Sequence, residues 1–183
     1  METIKREIKN LYNDFEKIKN KGWIKSVNKY NNGVGLAFES LLGIQSNELE
    51  IPDYNGIEIK TRRVGSESYI TLFSCKPEGK YYHEVERIKD TYGYPHRVLK
   101  KYKVLNNSVY GNKKNIIGNK YFFELEVCKK ENKVYLLIYN KKGDLLERDV
   151  YWDFDTLKEK IERKLNYLAL IKAYSKKKFK RWI

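Results

Sequence analysis

Cysteine is scarce in this sequence: Cys75 and Cys128 stand far apart, with no histidine next to either. Two such residues argue against a disulfide scaffold or a zinc site and fit reduced thiols packed in a core. Proline is also rare, with three residues in 183, and there is no Gly/Ser linker, internal repeat or low-complexity tract. A single folded domain over residues 1–183, without an interior boundary, is therefore expected. No run approaches the roughly 20 apolar residues that span a bilayer, and the N-terminus METIKREIKN has no secretory apolar core. A cytoplasmic protein with no membrane partner is expected. Acids are in deficit as well, with 24 Asp and Glu against 38 Lys and Arg, a net charge of +14. On a small domain that surplus favours a polyanionic partner, nucleic acid first. A lysine-rich proteome would produce the same bias, so the charge needs a motif beside it.

What the chain does contain is 41% hydrophobic residues in periodic patterns, enough for a packed core. Ile4, Ile8, Leu11, Phe15 and Ile18 recur at helical spacing and predict an amphipathic helix over 3–20. The polar stretch SVNKYNNGVG over 26–35 predicts a loop, followed by a short helix over about 34–42 that Gly43 ends. Ile57 and Ile59 alternate with Glu58 and Lys60, and Tyr69, Thr71 and Phe73 with Ile70, Leu72 and Ser74, which reads as two adjacent strands turning near Gly65. Tyr82 to Tyr92 can form a helix closed by Gly93 and Pro95, and the stretch from there to Lys120 reads as loop with one further strand. YFFELEV, KVYLLIY and LLERDVYW predict an antiparallel meander with turns at Glu131-Asn132 and Lys142-Gly143-Asp144. Asp153 or Asp155 can cap a helix through Leu165, and LNYLALIKAY has the apolar density of a last strand.

The stretch Pro52-Asp53-Tyr54-Asn55-Gly56-Ile57-Glu58-Ile59-Lys60 carries the chemistry. Strand parity sends Ile57 and Ile59 to one face and Glu58 and Lys60 to the other, about 7 Å apart along the strand. Asp53 lies just ahead of the flexible Asn55-Gly56, where a turn or an adjoining strand can bring its carboxylate beside that of Glu58. Two converging carboxylates, a peptide carbonyl and waters suit a hard octahedral cation such as Mg²⁺. Such a site serves phosphodiester hydrolysis, with Lys60 holding the attacking water or the developing charge. Many ordinary sheets contain an exposed Glu-x-Lys after a Pro-Asp turn, so this spacing alone does not decide the matter. Glu39, on the helix GVGLAFESLLGI, taken by itself reads as an exposed glutamate opposite Leu36, Phe38 and Leu42.

Five segments in the same order resemble one family: GWIKS at 22–26, GVGLAFESLLGI at 33–44, PDYNGIEIKTRR at 52–63, SYITLFSCKP at 68–77 and YGYP at 92–95. Together they are similar to the MvaI/BcnI family of type II restriction endonucleases, in the MutH-like branch of the PD-(D/E)xK nucleases. A weaker likeness runs through VYWDFDTLKEKIERKLNYLALIKA at 150–173. The resemblance implies an α/β fold, a restriction-endonuclease-like mixed β-sheet flanked by α-helices, with a catalytic part over about 20–95. The sheet and part of a recognition region would occupy about 96–183, since family members continue beyond the strand matching Leu165 to Tyr174. It implies a catalytic set of Glu39, Asp53, Glu58 and Lys60, with Asp53 and Glu58 as Mg²⁺ ligands. It further implies cleavage of a short duplex site to 5′-phosphate and 3′-hydroxyl ends by a monomer that holds DNA between two lobes, alongside a cognate DNA methyltransferase. A MutH-like nicking repair nuclease and a non-catalytic or truncated DNA-binding module are the alternatives.

Arg62 shares the face of Glu58 and Lys60 and is a candidate phosphate contact, whereas parity turns Arg63 the other way unless a bulge intervenes. His83 and His96 could read a guanine edge, although a surface histidine is commonly without such a role. Lys100, Lys101, Lys103, Lys113 and Lys114 form a basic, asparagine-rich stretch that either follows a DNA backbone or is solvated. Of these, Arg62, Arg63, His96, Lys100 and Lys101 are taken as DNA-binding candidates. Tyr121, Tyr135, Tyr139 and Tyr151 fit core-edge packing better than base stacking. The basic tail KAYSKKKFKRWI is either a solvated terminus or a phosphate contact.

Overall fold

A computed structural model describes residues 2–30, 32–45, 51–111 and 113–176. The basic tail beyond Ser175 and Lys176 thus lies outside the described residues. The chain divides into two compact units, residues 1–73 with 160–183, and residues 74–159. Among the described residues no helix is long and apolar enough to cross a membrane.

The first unit is built on helix α1 (Glu2–Lys19), helix α2 (Gly33–Leu41) and strand β1 (Glu58–Arg63). Leu11 and Ile18 of α1, Phe38 of α2, and Ile57 and Ile59 form its buried core, with Ile4, Phe15, Leu42 and Tyr54 packed around them. The helical stripe deviates in one place: Ile8 is 47% exposed while Glu7 is buried to 9%. Glu7 turns inward because Oε2 accepts a hydrogen bond from Asn55 Nδ2 at 2.8 Å, a partner the helix periodicity does not contain.

The second unit carries helix α3 (Glu84–Tyr92), a two-residue ladder of β2 (Tyr94–Pro95) with β3 (Lys103–Val104), and a four-stranded antiparallel sheet. That sheet runs β4 (Asn115–Ile117), β5 (Tyr121–Cys128), β6 (Lys133–Asn140) and β7 (Leu145–Asp153) in chain order. Its turns use Asn132 at φ 55° and Gly143 at φ 92°, the left-handed conformations that tight hairpins require. Ile117, Phe123, Leu136, Ile138 and Val150 pack with Ile88 and Tyr92 of α3 into its core. Tyr135, on the inner strand β6, is buried with its ring 5.8 Å from that of Tyr151. Cys75 and Cys128 are half-buried rather than core residues and form no disulfide, and Cys128 is the last residue of β5.

Helix α4 (Phe154–Lys164) follows β7 directly, and Asp153 caps it by accepting the N–H of Asp155 at 2.9 Å. Strand β8 (Leu168–Ala173) then pairs with β1 in parallel, Glu58 opposite Leu168 and Arg63 opposite Ala173. The segment Tyr69–Ser74, expected to be a strand adjacent to β1, is in no strand. Its alternation supplies β-propensity, but a strand also takes a ladder of N–H and C=O groups, and the ladder that β1 forms is with β8.

Candidate active site

The local geometry begins with a two-residue turn. Asn55 and Gly56 both have positive φ, 44° and 89°, the signature of a type I′ hairpin turn. Tyr54 and Ile57 close it with reciprocal backbone hydrogen bonds of 2.9 and 2.8 Å. Two side chains of α1 grip this turn: Asp14 Oδ2 accepts from the Tyr54 hydroxyl at 3.0 Å and Glu7 accepts from Asn55. The turn folds Asp53 back onto β1, where its Oδ2 accepts the N–H of Ile59 at 2.9 Å.

Ile57 and Ile59 are both 2% exposed in the core, and Glu58 between them is 0% exposed. Its Oε1 accepts a hydrogen bond from Lys60 Nζ, while Oε2 is buried without any hydrogen-bond partner. A buried charged oxygen left unpartnered is costly and calls for an explanation. Glu39, on α2, lies within electrostatic reach of the same group. Burial raises its carboxyl above the usual range, the charges of Asp53 and Glu58 raise it further, and Lys60 draws it down. Gly35 permits the close approach of α2 to β1, since a Cβ there would lie 3.0 Å from Thr61 Oγ1 and 3.5 Å from Glu39 Oε1. Glu39, Asp53, Glu58 and Lys60 therefore gather in the first unit around one buried carboxylate.

A groove of about 500 Å³ opens beside them, lined by Glu39, Lys60, Arg62, Arg63, Ser68 and Tyr69 among others. Arg62 Nε donates to the Ser66 carbonyl at 3.0 Å, and Arg63 Nη2 to that of Tyr30 at 3.1 Å. His96 belongs to the second unit. Its Nδ1 accepts the N–H groups of Val98 and Leu99 at 3.2 and 3.0 Å, which leaves the ring proton on Nε2. Lys100 and Lys101 are exposed on the turn that follows, Lys101 with its ammonium 4.9 Å from the Tyr102 ring centroid.

One residue was not expected from the sequence. Lys164, the last residue of α4, places Nζ 3.4 Å from Glu58 Oε1. The pairing of β8 with β1 is what brings it there, since the peptide carbonyl of Tyr167 accepts the Glu58 N–H at 2.8 Å. Only that pairing could have signalled it in the sequence.

Among the described residues no group of three or more His, Cys, Asp and Glu side chains is disposed to hold a metal ion. The pair Asp53 and Glu58 nevertheless fits a hard cation: the donors are carboxylate oxygens, one is orphaned, and the neighbouring acid Glu39 is already pushed toward its neutral form by burial and then by the charge of Asp53. Mg²⁺ is commonly held by one or two carboxylates, with waters and phosphate completing its shell.

A family model for the MvaI/BcnI restriction endonuclease family matches residues 12–182. The chain belongs to the MvaI/BcnI restriction endonuclease family. It is accordingly a type II restriction-like DNA endonuclease, in a family whose enzymes typically need a divalent metal. Its structure matches that of restriction endonuclease MvaI in complex with cognate DNA at a TM-score of 0.87 and 29% identity, over 93% of this chain and 68% of the other. It matches MvaI in the absence of DNA at a TM-score of 0.52 and 29% identity, over 76% of this chain and 61% of the other. The α/β fold expected for the family is thereby established. A search of curated proteins gave no significant match.

Proposed function

We propose that this member of the MvaI/BcnI family is a Mg²⁺-dependent endonuclease that hydrolyses phosphodiester bonds within a short specific duplex site, leaving 5′-phosphate and 3′-hydroxyl ends. The observation that carries the reading is the buried, unpartnered Oε2 of Glu58 beside Asp53, Glu39 and Lys60. Asp53 and Glu58 are the residues that would hold the ion. When bound, Mg²⁺ supplies Lewis-acid stabilisation of charge on the scissile phosphate and makes water a better nucleophile.

The chain's own residues do the remaining work. The turn clamp from α1 fixes Asp53, and the core contacts of Ile57 and Ile59 on the opposite face fix the stretch of backbone that carries Glu58, so both acids are positioned before substrate arrives. Lys60, two residues along the same face, offers an ammonium to the attacking water or to the oxygen on which charge develops. Glu39, with its raised carboxyl, can take up a proton near the reacting phosphate. Arg62 and Arg63 line the groove and suit the flanking phosphates. His96 presents an Nε2–H donor suited to a guanine N7 or O6, and Lys100 and Lys101 suit the backbone. The enzyme acts as a monomer in the cytoplasm, and a methyltransferase of the same specificity protects the host's own sites.

The test is incubation of purified protein with Mg²⁺ and a panel of plasmids, followed by sequencing of the ends. Discrete cuts bearing 5′-phosphates, lost in Asp53→Ala and Lys60→Ala proteins that keep their circular dichroism, are expected. Intact plasmid across a broad sequence panel refutes the reading.

A further inference from the structure

Glu58 carries more positive charge than its own hydrogen bonding requires. Its side chain is fully buried, yet one oxygen, Oε1, faces both the Lys60 ammonium and the Lys164 ammonium at 3.4 Å, and the other oxygen faces none. Lys60 is accounted for by its place on β1. Lys164 comes from a different element, at the C-terminal end of α4, where the helix carbonyls favour a cation. Its side chain is 26% exposed, so it keeps a path to solvent.

Charge balance indicates what this second lysine is for. Glu39, Asp53 and Glu58 bring three negative charges when ionised, and Lys60 and Lys164 bring two positive ones. A divalent cation then carries the cluster to a single positive charge, which one phosphodiester neutralises. Without Lys164 the fully buried Glu58 carboxylate would keep Lys60 as its sole cation within ion-pair distance among the described residues. A divalent ion, Lys60 and Lys164 also compete for the same carboxylate, and Lys164, with the longer contact to it, is the one more readily displaced.

Resting on the endonuclease reading above, we propose that Lys164 is a second lysine of the active site. In the metal-free protein it is the counter-ion of Glu58. When a divalent cation and DNA bind, it passes to a non-bridging oxygen of a backbone phosphate at or beside the bond being cut.

The experiment compares wild type, Lys164→Met, Lys164→Gln and Lys164→Arg with Lys60→Met, all as full-length protein of unchanged circular dichroism. Binding of fluorescein-labelled duplex DNA is measured against salt, once with EDTA and once with Ca²⁺, and single-turnover cleavage is measured with Mg²⁺. In Ca²⁺ the slope of log K against log salt is expected to fall by about one in the Met and Gln variants and to stay at the wild-type value in Arg. With EDTA the slopes should coincide, because Lys164 is then held on Glu58. Cleavage should drop about tenfold to a hundredfold in Met and Gln and recover most of the way in Arg. Slopes and rates at the wild-type level in Met and Gln, with Lys60→Met inactive, overturn the role of Lys164 and leave the nuclease reading intact. A wild type that cuts nothing counts against the nuclease reading, and the Ca²⁺ slopes still decide for or against Lys164.

Discussion

Glu58→Leu is expected to yield a more stable protein that no longer cuts DNA. The wild-type carboxylate is fully buried, and its Oε2 has no partner, a desolvation cost of about 1–3 kcal/mol. Removing the charge also relieves Glu39, whose carboxyl is raised partly by the negative charge of Glu58. Against this stands the loss of contacts to Lys60 and Lys164, whose side chains are 23% and 26% exposed. Both ammoniums regain water on release, so each pair contributes only about 0–1 kcal/mol. The balance is a gain of about 1 kcal/mol, which for a chain of this size is about 2–4 °C in Tm. Differential scanning calorimetry in EDTA measures it, with plasmid cleavage in Mg²⁺ alongside. The advantage should shrink as Mg²⁺ is added, because the ion stabilises wild type by mass action and the variant lacks a ligand. A Leu variant that retains the wild-type circular dichroism but melts below wild type in EDTA refutes the argument, since the buried oxygen would then not be a poised and costly ligand.

Other perturbations probe the scaffold. Arg87→Ala strands Glu84 and Glu147, both bonded to its guanidinium and nearly inaccessible, and should cost about 3–5 kcal/mol in urea unfolding. Burial and then the Glu147 carboxylate push the Tyr92 hydroxyl up to about 12. A raised value stabilises the fold below the ordinary tyrosine range, so this contribution should fade as pH rises from about 10 through 12, and Tyr92→Phe should lack that step in a pH series of melting curves. Glu147, though burial alone would raise it, is held below its ordinary value by Arg87 and the Tyr92 hydroxyl, so its contribution is present above the usual carboxylate range and lost as pH falls below it. Tyr54→Phe removes the hydrogen bond to Asp14 and should cost about 1 kcal/mol, with a fall in kcat that a measured melting curve shows is not unfolding.

Short-range pattern carried much of this fold. The stripe from Ile4 to Ile18, the alternation in residues 121–152 and the Asn55-Gly56 pair each encode an element within a few residues of themselves, and each forms as expected. The opposite faces of Ile57/Ile59 and Glu58/Lys60 follow from strand parity for the same reason. What was illegible is non-local. Tyr69–Ser74 alternates like a strand, yet β1 pairs with residues that follow it by more than a hundred positions. Ile8 sits on the predicted stripe, yet Asn55 draws Glu7 inward in its place. Lys164 looks like any lysine at a helix end until β8 is docked. In each case the deciding contact is to a residue that no local window includes.

The parallel pairing of β1 with β8 has a consequence for synthesis. The ribosome must pass Ala173 before the strand that bears Glu58 and Lys60 can acquire this neighbour, and closing a loop of that length adds an entropic delay that grows with the logarithm of its span. A nascent or prematurely released chain therefore carries the reactive acids without the strand that braces them. A type II restriction-like endonuclease built this way completes the sheet around Glu58 and Lys60 only once the far end of its chain has been made.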